Sequence, residues 1–455
     1  MDLNHDACYQ VLLNHDPRAD GRLFAGVHTT GIYCRPICPA RVPKRENITF
    51  YPTAVAAHGA GFRPCLRCRP ECAPLLATGD AGASPVAAEK IRRVLFAKQL
   101  ITDTRLPFAE IATAAGFVSV RSLNTTLRSL YGRPLQELRP SRLRKLGAQS
   151  AAHGVVLTVA YASPYDWESI TRFLAARAIP GVECVDDHGC YQRTIVLDGA
   201  RGTLRVGADL KRNCLTVEIN FPHVEALATI VNRVRQIFDL ALDPIAVGNQ
   251  LARDARLKPL LIARPGLRVP GAWDGFELAV RAILGQQITV SAATKLAGKL
   301  VAVFGDPIAI AGNDKLRYTF PTPQKLCAVD LGALGMPAAR SKALSALAIA
   351  AAADTQLFAP KPSLNAALTA MRALPGIGEW TAQYIAMRAF REPDAFPTGD
   401  IGLLRAMADA AGRRPSAIEL QACAEAWRPW RAYAALHLWT AGAVRKKPAA
   451  RESTA

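Results

Sequence analysis

Four cysteines in two close pairs are the part of this sequence best equipped to do chemistry. Cys34 and Cys38 are separated by three residues, Cys65 and Cys68 by two, and a loop of 26 residues joins the pairs. Each pair can offer two thiolates from one turn, and two such turns suit a tetrahedral zinc site. Pro36, Pro39 and Pro64 stiffen those turns. Cys8 and Cys72 fall outside the spacing and read as ordinary thiols. On spacing alone the simpler reading is a purely structural zinc site. A zinc-held thiolate also stays deprotonated at neutral pH, which leaves room for a reactive one.

A second constellation lies far downstream. Leu374-Pro375-Gly376-Ile377-Gly378-Glu379-Trp380-Thr381-Ala382 places two glycines in a hairpin between helical stretches. Gly376 and Gly378 let backbone N–H groups approach a DNA phosphate. Phe396-Pro397-Thr398-Gly399-Asp400 follows and opens another helical run. Asp400 either caps that helix or supplies a negative charge to a reaction. A third pattern spans Leu106–Tyr131, where a short alanine-bearing helix meets a turn at Gly116 and a second helix starts at a Ser119 cap. The outward face of that helix offers Ser119, Arg121, Ser122 and Thr125, the arrangement of a helix laid in a DNA major groove. A packed helical hairpin is the alternative.

These residues need a scaffold, and the composition supplies one. The chain has 455 residues, half of them hydrophobic, enough for two to four packed domains. Its net charge of +19, about half of it in the first 150 residues, suits a polyanionic partner. A basic protein from a GC-rich genome would share that balance. The run Ala346–Ala353 is too short to span a membrane, and the N-terminus lacks a basic-then-apolar signal pattern. A soluble, cytoplasmic protein is expected, with no membrane partner. In a reducing compartment the 11 cysteines point away from disulfides. Composition breaks at Thr78–Pro85, Gly147–Gly154 and Leu240–Asp243 set four blocks, with a basic tail from Arg445. In the third block Thr194–Leu197 and Leu215–Ile219 read as strands, and Asp166–Arg177 and His223–Phe238 as amphipathic helices.

The residues also carry family resemblances. Thr29–Cys38, Arg45-Glu46-Asn47 and Gly61–Cys68 resemble the N-terminal domain of the Ada methyltransferase family over about residues 5–72. The resemblance implies that Cys34 accepts a methyl group from a methylated backbone phosphate, with Arg63 and Arg67 as candidates to hold a phosphate. Residues Lys90–Leu100, Leu106–Tyr131 and Gly132-Arg133-Pro134 look like the linker helix and second half of an AraC-type domain, the first helix–turn–helix being absent. Tyr165-Asp166-Trp167, Phe173–Arg177, Ala263–Arg268, Arg281–Gln287, Phe320–Pro323 and Trp430–Trp439 resemble the AlkA family of 3-methyladenine glycosylases II over about residues 157–444. That likeness implies a catalytic role for Asp400, a base pocket lined by Phe173, Trp380, Tyr384 and Trp439, and DNA contact by Gln286 and Gln287. Each aromatic could instead be a core residue. The family commonly has a bulky apolar residue where Gln287 stands. Backbone-cleaving relatives carry a lysine where Trp380 stands, and iron–sulfur members carry four downstream cysteines where only Cys423 follows.

The expected fold is an α+β multidomain chain. It comprises a four-cysteine zinc domain (1–77), a truncated AraC-type helix–turn–helix (86–145), a small antiparallel sheet with helices (155–240) and an all-helical helix–hairpin–helix glycosylase bundle (241–445). One Zn2+ is expected at Cys34, Cys38, Cys65 and Cys68, and no cofactor for the glycosylase. The expected function is DNA alkylation repair by a monofunctional DNA-3-methyladenine glycosylase II with methyl-phosphotriester transfer to Cys34. Expected partners are double-stranded DNA with alkylated bases or methylated phosphates, and RNA polymerase if transcription is regulated. Two alternatives stand: a methylation-responsive regulator whose glycosylase half is inactive, and a zinc-structured DNA-binding module without methyl transfer.

Overall fold

The computed structural model describes residues 4–16, 19–68, 70, 85–145, 149–150, 154–310, 313–409 and 411–444. Cys72, all but the last residue of the linker expected at 78–85, most of the 147–154 seam and the tail from Arg445 lie outside the described residues. The chain forms two compact units. One gathers the chain up to Pro164 with Val185–Arg235 and Leu240–Asp243; the other gathers Tyr165–Cys184, Gln236–Asp239 and the chain from Pro244.

The first unit begins with a four-stranded sheet. Phe24–Val27 lies between Ile32–Cys34 and Ile48–Tyr51, antiparallel to both, and Arg63–Pro64 runs parallel to Ile32–Cys34. This topology brings the two cysteine pairs to one end, since Cys34 closes one strand and Cys65 follows its neighbour. Cys8 is buried with Leu12, Leu23, Ile48 and Phe50, the ordinary core thiol its position suggested. Three helices follow, Pro85–Asp103, Phe108–Ala114 and Val120–Tyr131. Ser119 starts the last by accepting the Ser122 amide at 3.1 Å, and Gly132 ends it in the left-handed region. The strand Val155–Ala160 then pairs with Cys214–Asn220, which pairs with Ala200–Asp209, which pairs with Tyr191–Leu197, all antiparallel. Glu183–Val185 is the sheet's edge strand. Gln99 and Asp103 bond the helix Pro85–Asp103 to this sheet: Gln99 Nε2 donates to the Thr158 carbonyl at 2.8 Å and Asp103 accepts the Thr158 hydroxyl at 2.9 Å.

The second unit is a helical bundle around Gly275–Leu284, in which every residue but Gly275 and Arg281 is buried. Ala338–Ala353 and Glu379–Arg388 pack against it. A two-residue ribbon pairs Asp306–Pro307 with Tyr318–Thr319, a departure from an all-helical bundle. The helix Trp167–Ala175 belongs here by contact, because its polar start and its aromatic end find partners in this unit. Asp166 meets Arg264 at 3.3 Å, and Phe173 lies under Arg388. Arg391 and the Tyr433 hydroxyl share Asp239, at 2.5 and 2.9 Å, which pins the segment Gln236–Asp239 to the bundle.

His437, 5% exposed, sits inside the long helix Arg431–Val444. Burial pushes its imidazole down to about 4, against the opposing pull of Asp166 and a Leu260 carbonyl. The folded state therefore refuses a proton that the unfolded chain takes up near 6.5. Stability is full above that value and falls with pH toward 4, by up to about 3 kcal/mol. His437→Gln should flatten this acid slope, as read by urea unfolding across the window; an unchanged slope would assign it to other groups.

Candidate active site and metal centre

Asp400 opens the short helix Ile401–Ala406, and its Oδ1 accepts the Leu403 amide at 2.9 Å. The capping role is real, but it leaves one oxygen unused. Trp439 Nε1 donates to Oδ1 at 2.8 Å and Trp380 Nε1 to Oδ2 at 2.9 Å. Indole N–H groups only donate, so both carboxylate oxygens serve as acceptors here. Neither indole contributes to a cap, and they come from two other helices, Glu379–Arg388 and Arg431–Val444. Asp400 and both indoles are half-buried. Gly402 makes the approach possible: a Cβ there would fall 2.8 Å from Asp400 Oδ1 and 3.2 Å from the Trp439 ring.

Trp380 and Tyr384 stack one helical turn apart, with ring centroids at 5.3 Å and planes within 8°. Another turn on, Arg388 donates from Nη1 to the Tyr384 hydroxyl at 2.6 Å. Arg388 is itself fixed by the carbonyls of Pro270 and Gly271 at 2.8 and 2.9 Å. Burial pushes the Tyr384 hydroxyl up, and Arg388 and Arg177 outweigh it, leaving the group lowered. Phe173 joins the cluster with the Arg177 guanidinium 3.7 Å from its ring centre and that of Arg388 at 4.9 Å. The four aromatic residues expected to line a base pocket thus gather around one carboxylate and one arginine. One face of Phe173 is already covered by Arg177.

The hairpin lies between Leu364–Arg372 and Glu379–Arg388. Gly376 has φ +79°, and a Cβ on it would sit 2.4 Å from that of Ala343. Gly378, exposed and with open space around it, caps the helix that carries Trp380. Ile377 between them is buried. Gln286 spends its amide on this hairpin, donating to the Gly376 carbonyl at 2.9 Å and to the Thr381 hydroxyl at 3.1 Å. Gln287 is exposed and left-handed, with φ +59°. The two glutamines are therefore divided: the first braces the hairpin and the second faces outward.

In the first unit the sulfurs of Cys34, Cys38, Cys65 and Cys68 lie within 4.8 Å of one another, with Cys38 and Cys65 at 3.9 Å. A tetrahedron of thiolates around zinc has edges of about 3.8 Å, so the residues fit that ion. Cys34 is half-buried and the other three are buried. Backbone amides of Arg67 and Arg35 donate to the sulfurs of Cys65 and Cys68 at 3.4 and 3.3 Å. Arg63 and Arg67 are exposed. Arg35 is not available to a phosphate. It is 7% exposed, bonded to Asp20 at 2.6 Å and to the Cys68 carbonyl at 3.0 Å, and so clamps the second cysteine turn.

On the helix Val120–Tyr131, Arg121, Ser122 and Thr125 are exposed with the Ser119 cap, while Leu123, Leu127 and Tyr131 face inward. Arg128 extends the outward face by one turn and was not singled out from the sequence; its spacing of seven from Arg121 is the signal. Asp20 and Gly402 carried no signal of their own. Arg388 was findable, since Trp380, Tyr384 and Arg388 recur at four-residue steps on one helix.

Three family models match the chain: the metal binding domain of Ada over residues 7–71, the AlkA N-terminal domain over 156–274 and the HhH-GPD superfamily base excision DNA repair protein over 280–432. A probable bifunctional transcriptional activator/DNA repair enzyme AlkA from Mycobacterium tuberculosis is 36% identical, covering 96% of each chain. DNA-3-methyladenine glycosylase 2 of Escherichia coli is 37% identical over 62% of this chain and 96% of its own. The solved 3-methyladenine DNA-glycosylase from Archaeoglobus fulgidus shares the fold, with a TM-score of 0.56 at 22% identity over 64% of this chain and 99% of its own. Among the described residues no helix is long and apolar enough to cross a membrane.

Gly402→Ala tests the packing around Asp400. In a helix, alanine normally stabilises relative to glycine by up to about 1 kcal/mol. Here the added methyl must displace the carboxylate or the Trp439 ring. Base release should fall at least about tenfold, and the disturbed cap should offset the helix gain so that the thermal midpoint does not rise; retained turnover would show that the close approach is dispensable.

Proposed function

The chain belongs to the family of bifunctional transcriptional activator/DNA repair enzymes AlkA, and on that premise we propose that it repairs alkylated DNA through two separate chemistries. The first is hydrolytic release of alkylated bases such as 3-methyladenine, with Asp400 as the catalytic carboxylate. The observation that carries this reading is the carboxylate held by two indole N–H groups at the mouth of an aromatic cluster. A damaged nucleotide leaves the duplex and its base enters between aromatic faces, where an electron-poor alkylated purine stacks well. As the C1′–N bond breaks, positive charge grows on the sugar, and a fixed anion beside it stabilises that charge without reorganising. Water then bonds to C1′. Trp380 occupies the position of the lysine that backbone-cleaving relatives use, which supports a monofunctional enzyme. The hairpin around Gly376 and Gly378 supports phosphate binding through backbone amides, and the exposed Gln287 is suited to fill the gap the flipped nucleotide leaves.

The second chemistry is methyl transfer to Cys34. The protein binds Zn2+, which Cys34, Cys38, Cys65 and Cys68 would hold, and which when bound keeps the sulfurs as thiolates. Cys65 and Cys68 lose charge density to the amides that donate to them, and they are buried. Cys34 is the reachable sulfur. Its lone pair forms the S–CH3 bond as the phosphate O–CH3 bond breaks, and the diester anion leaves. Arg63 and Arg67 can receive that phosphate. A thioether lacks the thiolate's charge, so methylation should favour DNA binding by the exposed face of Ser119, Arg121, Ser122 and Thr125 and by that route regulate transcription, with RNA polymerase as a further partner. The geometry around Asp400 weighs against an inactive glycosylase half.

Chromatography of bases freed from methylated DNA tests the first chemistry. Asp400→Asn should cut release by about a hundredfold or more with DNA binding retained; near-normal turnover would remove Asp400 from the mechanism. Mass spectrometry after incubation with methyl-phosphotriester DNA tests the second. One methyl should appear on the peptide containing Cys34 and vanish in Cys34→Ala; a methyl elsewhere, or none, would leave a structural zinc module.

A further inference from the structure

Arg388 is a buried charge beside the aromatic cluster, 7% exposed, and it was not named from the sequence. Its three nitrogens donate to the Tyr384 hydroxyl and to the carbonyls of Pro270 and Gly271, and its plane lies near both the Phe173 and Tyr384 rings. Tyr384 stacks on Trp380, and Trp380 holds Asp400. One side chain therefore governs a relay that ends on the catalytic carboxylate. We infer that Arg388 is the positioning residue of this pocket and, through its unbalanced charge, sets how well the site releases bases that depart with negative charge. The inference rests on the base-release reading above.

The charge argument comes from what surrounds the arginine. Arg281, from the neighbouring helix, is paired with both Glu277 at 2.6 Å and Glu183, a trio of net charge −1 that leaves the cluster with Arg177 and Arg388 one positive charge in excess. Among the described residues Arg177 and Arg388 have no carboxylate within ion-pair distance; their hydrogen bonds go to carbonyls and a hydroxyl. A buried guanidinium satisfied by neutral acceptors keeps its field. Tyr384 registers that field, since its hydroxyl is lowered despite burial. The pocket is thus polarised, with a net positive charge at the Phe173–Tyr384 end, where Arg177 and Arg388 bond only neutral acceptors, and a carboxylate at the Trp380–Trp439 end.

Glycosidic cleavage moves charge along that axis. The C1′–N electron pair goes to the base and C1′ becomes positive near Asp400. A base that was cationic leaves neutral, and the attacking water gives its proton to solvent. A base that was neutral leaves as an anion and takes up that proton. Both gain from the field, but the neutral base gains more, because its poor leaving group needs more charge transferred before the bond breaks. For the cationic base the arginines also oppose binding, so they raise KM as they raise kcat.

Arg388→Gln, Arg388→Lys and Tyr384→Phe in the full chain separate field from geometry. The probes are duplexes carrying one 7-methylguanine, a cationic base, or one hypoxanthine, a neutral one. Arg388→Gln should lower kcat for hypoxanthine about a hundredfold and for 7-methylguanine about tenfold, the latter with a reduced KM. Arg388→Lys keeps the charge but cannot make three bonds, and Tyr384→Phe keeps the arginine but cuts the relay. Each should slow both substrates by similar factors and leave their ratio near that of the unaltered chain. Equal losses for both bases in Arg388→Gln would reduce the residue to a packing role. So would a ratio in Arg388→Lys that shifts as in the glutamine variant. Release of 7-methylguanine without hypoxanthine by the unaltered chain would also overturn the inference. Release of neither would instead overturn the base-release reading on which it stands.

Discussion

A carboxylate that accepts three N–H groups from three different helices leaves little freedom to anything around it. Asp400 takes the Leu403 amide of its own helix and the indoles of Trp380 and Trp439 from two others. Hydrogen bonds to an ionised group are strong but short-ranged, so a shift of about 1 Å in one helix forfeits one of them. The helix Ile401–Ala406 has six residues, far too few to persist alone. It exists because the carboxylate caps it and because Leu403 is fully buried. The oxygens that cap the helix are thus also the ones the two indoles hold, and the packing of Gly275–Leu284, of the hairpin and of the Arg431–Val444 helix keeps those donors in register.

The sequence made the site's chemistry legible wherever the residue type was itself unusual. A Gly-x-Gly hairpin followed by Trp380, a Pro-Thr-Gly-Asp400 run, and two cysteine pairs have few other uses, and the structure gathers each into one place. The helix starting at Ser119 was legible for a similar reason, because a serine cap before an apolar repeat has a local cause. What stayed hidden depended on long-range contact. Gly402 matters through Trp439, which is 37 residues away and on another helix. Arg35, next to Cys34 in the chain, is taken inward by Asp20, a partner 15 residues away that the local sequence does not point to. The strand Ala200–Asp209, the longest in its sheet, was masked by Gly202 and Gly207 and by its arginines, although Leu204 and Val206 alternate as a half-buried strand requires.

The two chemistries place opposite demands on their surroundings. Base release as proposed needs an anion beside the sugar, and the indoles hold Asp400 by hydrogen bonds rather than by an opposite charge. Methyl transfer needs one sulfur of four to be open. Backbone amides donate to the sulfurs of Cys65 and Cys68, and the buried Asp20–Arg35 pair holds the second cysteine turn, while Cys34 is the half-buried member of the four.

The contact between Gly376 and Ala343 reaches beyond the hairpin it shapes. The two backbones meet so closely that a Cβ on the glycine would overlap the Cβ of the alanine at 2.4 Å. Most packed pairs can exchange volume, one partner growing as the other shrinks. This pair has no such freedom: Ala343 could give up only its methyl, and Gly376, left-handed, could accept one only under strain. Compensation between the two positions therefore comes only at the cost of backbone strain at Gly376. The alanine-rich run Ala338–Ala353, featureless as a string of letters, therefore serves as a spacer of fixed thickness that sets how deeply the hairpin's amides are seated.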